Sequence, residues 1–240
     1  MQITEGVYFI PGQDEMIPDS HSYVIGLPSS NDLTLIDPGL MGKGQYKIDA
    51  IKNDNIDPSA IKRVIMTHTH LDHIGCLPEI LESIPQAELW VHREEAMPLE
   101  QGDERAVYGI DMFQQMCQAQ YGTKPGLFQF QVDRKLEGGV SLEIGGMTWD
   151  VIHIPGHSSG SIALYHSEDG ILIPGDTVYA DYAIGRFDLH GASGSQLRDS
   201  LKSLAEMDVS ILLPGHNRIM KQVPEGYIRD TVRQWEPYLS

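Results

Sequence analysis

The chain has 240 residues, 41% hydrophobic and 21% charged, with 17 basic against 34 acidic side chains and a formal charge of −17. That length supports one large domain or two small ones with a substantial core. The composition excludes a low-complexity or disulfide-stapled chain, since the two cysteines, Cys76 and Cys117, are too few for a framework. The acidic surface repels phosphate backbones and anionic membranes, which argues against nucleic-acid and membrane partners and leaves a small-molecule substrate. No apolar run approaches the ~18 residues a membrane span needs. No basic-then-apolar leader opens the sequence, so a cytoplasmic protein is expected, with a homodimer an open alternative to a monomer.

In chain order, Val7 to Ile10, Ser22 to Gly26 and Leu33 to Asp37 are short runs rich in Val, Ile, Tyr and Leu. Gly, Pro, Asn and Asp punctuate them, and they predict strands. Lys43 to Lys52 predicts a helix with Ile48 and Ile51 on one side. Ile61 to Met66 is an apolar-leaning run that ends abruptly in Thr and His, as a buried strand does when its end delivers polar residues to a site. Leu77 to Ile84 predicts a short helix and Glu88 to Val91 a strand. From Arg93 to about Pro125 the chain is rich in Glu, Gln, Met and Ala, and a helical insertion is expected at about 93–125. Met112, Phe113, Met116 and Ala119 fall at helix spacing and predict a face packed on the body, with a lid or pocket wall as the functional alternative. Strands are predicted at Leu127 to Val132, Met147 to Ile154, Ser161 to Tyr165 and Ile171 to Ile173. A helix at Ser195 to Met207, capped by Ser193 or Ser195, a strand at Ile211 to Leu213 and a closing helix at Pro224 to Tyr238 complete the chain. Strands and helices interleave in both halves, so the fold class is α/β, with sheets at the centre and helices outside.

The segment Thr67-His68-Thr69-His70-Leu71-Asp72-His73 puts three imidazoles and a carboxylate within six residues. Alternate residues of an extended chain point the same way, so His68 and His70 can share one metal, while Asp72 and His73 lie past the bend and can face a second. Imidazole with carboxylate suits zinc, iron or manganese. Three later positions repeat one design. The strands ending at Ile154, Ile173 and Leu213 are each followed by Pro-Gly and then by a ligand-type residue: His157, Asp176 and His216. Proline stops the ladder, and glycine lets the backbone turn and come close. One such unit is weak evidence; three are hard to attribute to chance.

In type and order this set resembles that of the metallo-β-lactamase superfamily, over nearly the whole chain. The resemblance implies a single domain, residues 1–240, folded as a four-layer αβ/βα sandwich. It implies that His68, His70 and His157 bind a first metal, that Asp72, His73 and His216 bind a second, and that Asp176 bridges them. It further implies two divalent ions, zinc being the expected metal with iron and manganese compatible. Two such cations lower the pKa of a shared water from about 15.7 toward neutrality. The resulting bridging hydroxide attacks the substrate, with Asp72 among the catalytic residues. Cys76 is expected to be packed rather than ligating, because the set is complete without it.

Asp176 stands where the familiar zinc β-lactamases carry cysteine, and His70 where flavodiiron oxidoreductases carry glutamate. The stretches Gly175-Asp176-Thr177-Val178-Tyr179 and Gly185-Arg186-Phe187-Asp188-Leu189, followed by a serine-started helix, are similar to the glyoxalase II-like branch, whose activities include thioester hydrolysis. Tyr179 departs from that branch, which more often has phenylalanine, and matches the tyrosine by which lactonases of the superfamily hold the substrate carbonyl. Tyr179 is therefore a candidate catalytic residue, and a pocket-wall aromatic is the alternative. Arg229 and Arg233 are the only nearby C-terminal cations for a glutathione group. Arg186 is expected to pair with Asp188 or another acid near the site, with a substrate carboxylate as the alternative partner. His21, His92, His153 and His166 are expected to be structural or superficial, with His190 the leading exception. The reading is a metal-dependent hydrolase of an ester, thioester or lactone. Its alternatives are a mononuclear iron oxidoreductase of the persulfide dioxygenase kind, hydrolysis of a β-lactam or phosphodiester, and a non-catalytic binding module.

Overall fold

The computed structural model describes residues 1–13 and 17–240. Strands β1 (Gln2–Thr4), β2 (Val7–Ile10), β3 (Ser22–Ile25) and β4 (Leu33–Ile36) form an antiparallel meander. Helix α1 (Gly44–Asn53) then carries the chain to β5 (Ile61–Ile65), parallel to β4. Helices α2 (Leu71–Ile74) and α3 (Leu77–Ser83) lead to β6 (Glu88–His92), parallel to β5. Helices α4 (Arg93–Gln101), α5 (Arg105–Tyr108) and α6 (Asp111–Tyr121) lead to β7 (Arg134–Leu136), parallel to β6 and last in a sequentially ordered sheet. The second sheet begins as an antiparallel meander of β8 (Ser141–Ile144), β9 (Met147–His153), β10 (Ile162–His166) and β11 (Ile171–Ile173). Helix α7 (Gly194–Leu204) crosses to β12 (Ile211–Leu212), parallel to β11, and α8 (Tyr227–Trp235) follows.

Three apolar clusters show how these elements stack. One lies between the sheets and joins Val7, Phe9, Tyr23 and Ile36 to Trp149, Val151, Leu164 and Ile173. A second joins the other face of the first sheet, through Tyr8, Ile10, Val24 and Leu35, to Ile48 and Ile51 of α1 and Leu77 and Ile80 of α3. The third joins Ala163 and Leu172 of the second sheet to Leu197 and Leu201 of α7 and Ile228 and Val232 of α8. Three cores between four layers make the αβ/βα sandwich. Strand β2 shows the cause: Val7 and Phe9 face one core, Tyr8 and Ile10 the other, and all four are buried. A strand covered on both faces reads as a continuous apolar run.

Some predicted elements differ. Leu127 to Val132 is not a strand. Its alternation is real, with Phe128 buried and Phe130 and Val132 half-buried against the same core while Leu127, Gln129 and Gln131 are exposed, but the segment joins neither sheet. The strand begins instead at Arg134, where the backbone meets the edge of β6. In α6 the inward residue is Cys117, with Phe113 and Met116 half-buried beside it, whereas Met112 and Ala119 are exposed. A short amphipathic helix lying at the rim of the body covers less of its circumference than the spacing suggested.

Because β4, β5 and β6 run parallel, the segments leaving their carboxyl ends share one edge of the molecule, where open α/β sheets present their sites. The loops after β9, β11 and β12 arrive at the same edge from the second sheet.

Candidate metal centre

The seven predicted residues come together at this edge. His68 and His70 stand on the extended segment after β5, and Asp72 and His73 on the single turn of α2. One ligand atom each from His68, His70 and His157 lies within 4.8 Å of the others, and the same holds for Asp72, His73, Asp176 and His216. Asp176 reaches both groups, with Oδ1 3.2 Å from His73 Nε2 and Oδ2 3.7 Å from His157 Nε2 and 3.4 Å from His216 Nε2.

The glycines of the Pro-Gly turns allow this convergence. A Cβ on Gly215 would lie 2.1 Å from Asp176 Oδ1, and one on Gly156 (φ +138°) 2.2 Å from the backbone nitrogen of Leu197. What these glycines let in is therefore another ligand loop and the first turn of α7, rather than only a metal.

Second partners orient the rings. His73 Nδ1 donates to Asp37 Oδ2 at 2.8 Å, and His157 Nδ1 donates to the Arg186 carbonyl at 2.7 Å. Thr67 Oγ1 donates to Asp37 Oδ2 at 2.6 Å, which leaves it to accept from His68 Nδ1 at 3.1 Å. These contacts turn Nε2 of His68 and His73 inward, as ligand histidines are turned. His70 Nδ1 lies 2.9 Å from His157 Nε2, and His216 Nε2 lies 2.9 Å from Asp72 Oδ2. Nε2 of His68 and of His70 nevertheless lack a hydrogen-bond partner, and His73 Nε2 and Asp176 Oδ1 have only each other, 3.2 Å apart. Unsatisfied buried polar atoms cost about 1–3 kcal/mol each. Two imidazole nitrogens left bare beside a carboxylate and further imidazoles suit a divalent cation, so the donor set fits the implied metals.

Electrostatics divide the two groups. Burial, aided by the neighbouring imidazoles, pushes His68 well below the ordinary histidine range and His70 down to about 3. Neutral imidazole is the form that binds metal. In the other group burial acts against the charged forms, but the ion pairs prevail. Asp176 and Asp37 hold His73 well up, Asp176 and Asp72 raise His216, and the histidines hold Asp176 well down and Asp72 at about 2.

A cavity of about 700 Å3 opens onto the cluster, of a size that fits a small molecule. Its lining includes His70, Asp72, His157, Asp176 and His216, with Tyr179 beside them. Burial and Asp176 raise the Tyr179 hydroxyl well above the usual range, so it stays protonated as a donor. The helical segment contributes Val107, Tyr108 and Phe113, and Leu189 and Ile17 add further apolar surface. Arg186 and Arg218 reach the cavity, but Arg186 is paired with Asp188 at 2.8 and 2.9 Å, and Arg218 with Asp181 at 2.7 and 3.3 Å.

Cys76 is buried, its thiol pushed up by burial, and it joins neither group. His190 is exposed and stays outside both. His92 and His153 stack on each other at 4.1 Å, and His166 lies beside Trp149. His21 is more than structural: it lines the cavity, accepts from Gly12 N–H at 2.8 Å and donates to the Asn217 carbonyl. Asp37 was missed, although it carries the signal that found the others: an apolar strand, then a ligand-type residue at Asp37-Pro38-Gly39.

A two-sheet sandwich with histidine and aspartate clusters where the strand ends meet defines a metal-dependent hydrolase. The chain belongs to the metallo-beta-lactamase superfamily, whose family description matches residues 18–216. It is 31% identical over 194 residues to the probable metallo-hydrolase YqgX of Bacillus subtilis (strain 168), covering 79% of this chain and 82% of that one. It is 25% identical over 207 residues to a hydroxyacylglutathione hydrolase of Aeromonas salmonicida (strain A449), covering 86% of this chain and 65% of that one. Among solved structures it matches the B3 metallo-beta-lactamase BLEG-1 with a TM-score of 0.72 and 24% identity, covering 93% of this chain and 96% of that one, a likeness of fold. No helix among the described residues is long and apolar enough to cross a membrane.

Proposed function

We propose that this chain holds two divalent ions, preferentially zinc, and hydrolyses a small neutral ester, thioester or lactone with an apolar acyl portion. The observation that carries this is the convergence of two ligand groups, with Nε2 of His68 and His70 left without a partner, at a cavity lined by His70, Asp72, His157, Asp176 and His216. His68, His70 and His157 would hold one ion and Asp72, His73 and His216 the other, with Asp176 between them. The ions, when bound, would supply Lewis acidity and a water acidic enough to give a nucleophile near neutral pH. The residues themselves bind, orient and shield. Asp37 and the Arg186 carbonyl fix ring orientation, and Tyr179, whose hydroxyl is directed at Asp176, would turn its proton to the acyl oxygen.

Three features favour a neutral, apolar substrate: the wall of Val107, Tyr108 and Phe113, the pairing of both cavity arginines with aspartates, and the net charge of −17. Together they disfavour a phosphodiester, and also the anionic glutathione group that the similarity to a hydroxyacylglutathione hydrolase would suggest. The test is a panel of lactones, thioesters, β-lactams and phosphodiesters on enzyme of known metal content. Turnover of acyl substrates with about two equivalents of metal is expected. One iron per chain with oxygen uptake on glutathione persulfide would sink this reading in favour of the oxidoreductase.

A further inference from the structure

Helix α4 carries a carboxylate with no part in the reading so far. Glu95 is buried, 3% exposed. Its Oε2 accepts from the Thr69 N–H at 3.2 Å and from the Thr69 hydroxyl, and its Oε1 accepts from the Gly160 N–H at 3.0 Å. Thr69 stands between His68 and His70, and Gly160 stands three residues after His157. One side chain therefore spans the two loops that bear the three-histidine group, one loop from each half of the chain. The close approach is built in, because a Cβ on Gly160 would lie 2.4 Å from Glu95 Cγ.

The charge is as informative as the span. The donors to Glu95 are two backbone N–H groups and a hydroxyl, all neutral. A buried carboxylate costs free energy unless positive charge compensates it. The adjoining group consists of three imidazoles, which bind a cation in their neutral form and bring it no negative charge of their own, leaving the shared Asp176 to supply it. The two deficits are complementary.

We propose that Glu95 is a positioning residue for the ion held by His68, His70 and His157: it locks the spacing of the two ligand loops and adds the negative charge that those ligands lack. This rests on the two-ion reading above.

The test compares wild type, Glu95→Gln and Thr69→Val, each loaded with Zn2+ and titrated with a chromophoric chelator, with far-UV circular dichroism as the check of fold. Glu95→Gln keeps the shape but removes the charge and sets an amide N–H against the Gly160 donor. One of two equivalents should be held about 10–100-fold more weakly, the usual effect of losing such a partner, with the other unchanged. Thr69→Val, which removes one donor and leaves the charge, should weaken the same equivalent by a smaller factor. In a His216→Ala background, which keeps the three-histidine group, Glu95→Gln should weaken the remaining equivalent by the same factor as before. A purely structural role would lower thermal stability without selecting one ion. Wild-type affinity for both equivalents in Glu95→Gln, or equal weakening of both, overturns the proposal; if that variant does not fold, Thr69→Val decides by the same readings. A wild type that takes up one equivalent overturns the two-ion reading instead. Glu95 then keeps its role if Glu95→Gln weakens that equivalent, and loses it otherwise.

Discussion

At the scale of single residues, Asp37 decides which nitrogen His73 offers. It accepts from His73 Nδ1 and from both the backbone and hydroxyl of Thr67, so one carboxylate sets two ligand positions. Asp37→Ala should weaken metal binding about 10–100-fold, read by chelator competition; unchanged affinity would refute the orienting role. Tyr179→Phe separates catalysis from packing. If the hydroxyl steadies the acyl oxygen, kcat should fall about 10²-fold at similar KM; an unchanged rate would leave Tyr179 as a wall. His21 yields a prediction in pH. Burial pushes it down to about 4, against an ordinary value of 6.5. The unfolded chain then takes up a proton that the folded chain refuses, so stability falls as pH drops from 6.5 toward 4. In His21→Gln, which can still donate to the Asn217 carbonyl, urea midpoints should fall less over that window; an identical fall would refute the assignment. All seven ligand-type residues were legible because each follows an apolar strand at a local break. Asp37 was legible by the same rule, whereas Glu95 was not, since it lies inside a helix and its partners are 26 and 65 residues away.

At the scale of elements, the turns and the α5–α6 segment divide the work. The Pro-Gly turns bring loops into contact, and Gly156 has no room for a side chain against the start of α7. Gly156→Ala should therefore destabilise by about 2–4 kcal/mol, seen as a lower urea midpoint; an unchanged midpoint would show that α7 can retreat. The α5–α6 segment forms the apolar wall. Phe113→Ala should lower kcat/KM about 10-fold for medium-length acyl esters and leave acetyl esters alone, since each apolar group lost from such a contact is worth about 1–3 kcal/mol. Equal losses on both would refute a wall that reads chain length. Most elements were legible because strands covered on both faces become unbroken apolar runs. Leu127 to Val132 misled because Phe128, Phe130 and Val132 face the core in alternation without a ladder partner. Strands β1, β7 and β8 escaped notice: they are short, and most of their residues are exposed or half-buried, so their pairing leaves little apolar signal.

At the scale of the whole molecule, metal and charge are linked. The chain carries a formal −17, and Asp37, Asp72 and Asp176 are gathered at one edge. Without cations, His73 and His216 supply the positive charge beside these carboxylates, and the bare nitrogens of His68 and His70 stay unsatisfied. An ion that binds only the folded chain stabilises it by about 4 kcal/mol when free metal is a thousandfold above the dissociation constant. For a chain of this size about 1 kcal/mol moves the melting temperature by about 2–4 °C. Stripping one tightly held ion should therefore lower it by about 8–16 °C, and Zn2+ should restore it. The stripped protein should also gain more from added salt than the loaded one, because screening replaces part of what the cations do. Calorimetry on chelated, reloaded and salt-titrated samples checks both. A melting temperature indifferent to chelation would mean that the cluster is held by its own ion pairs, and the ions would then have no share in the stability of the fold.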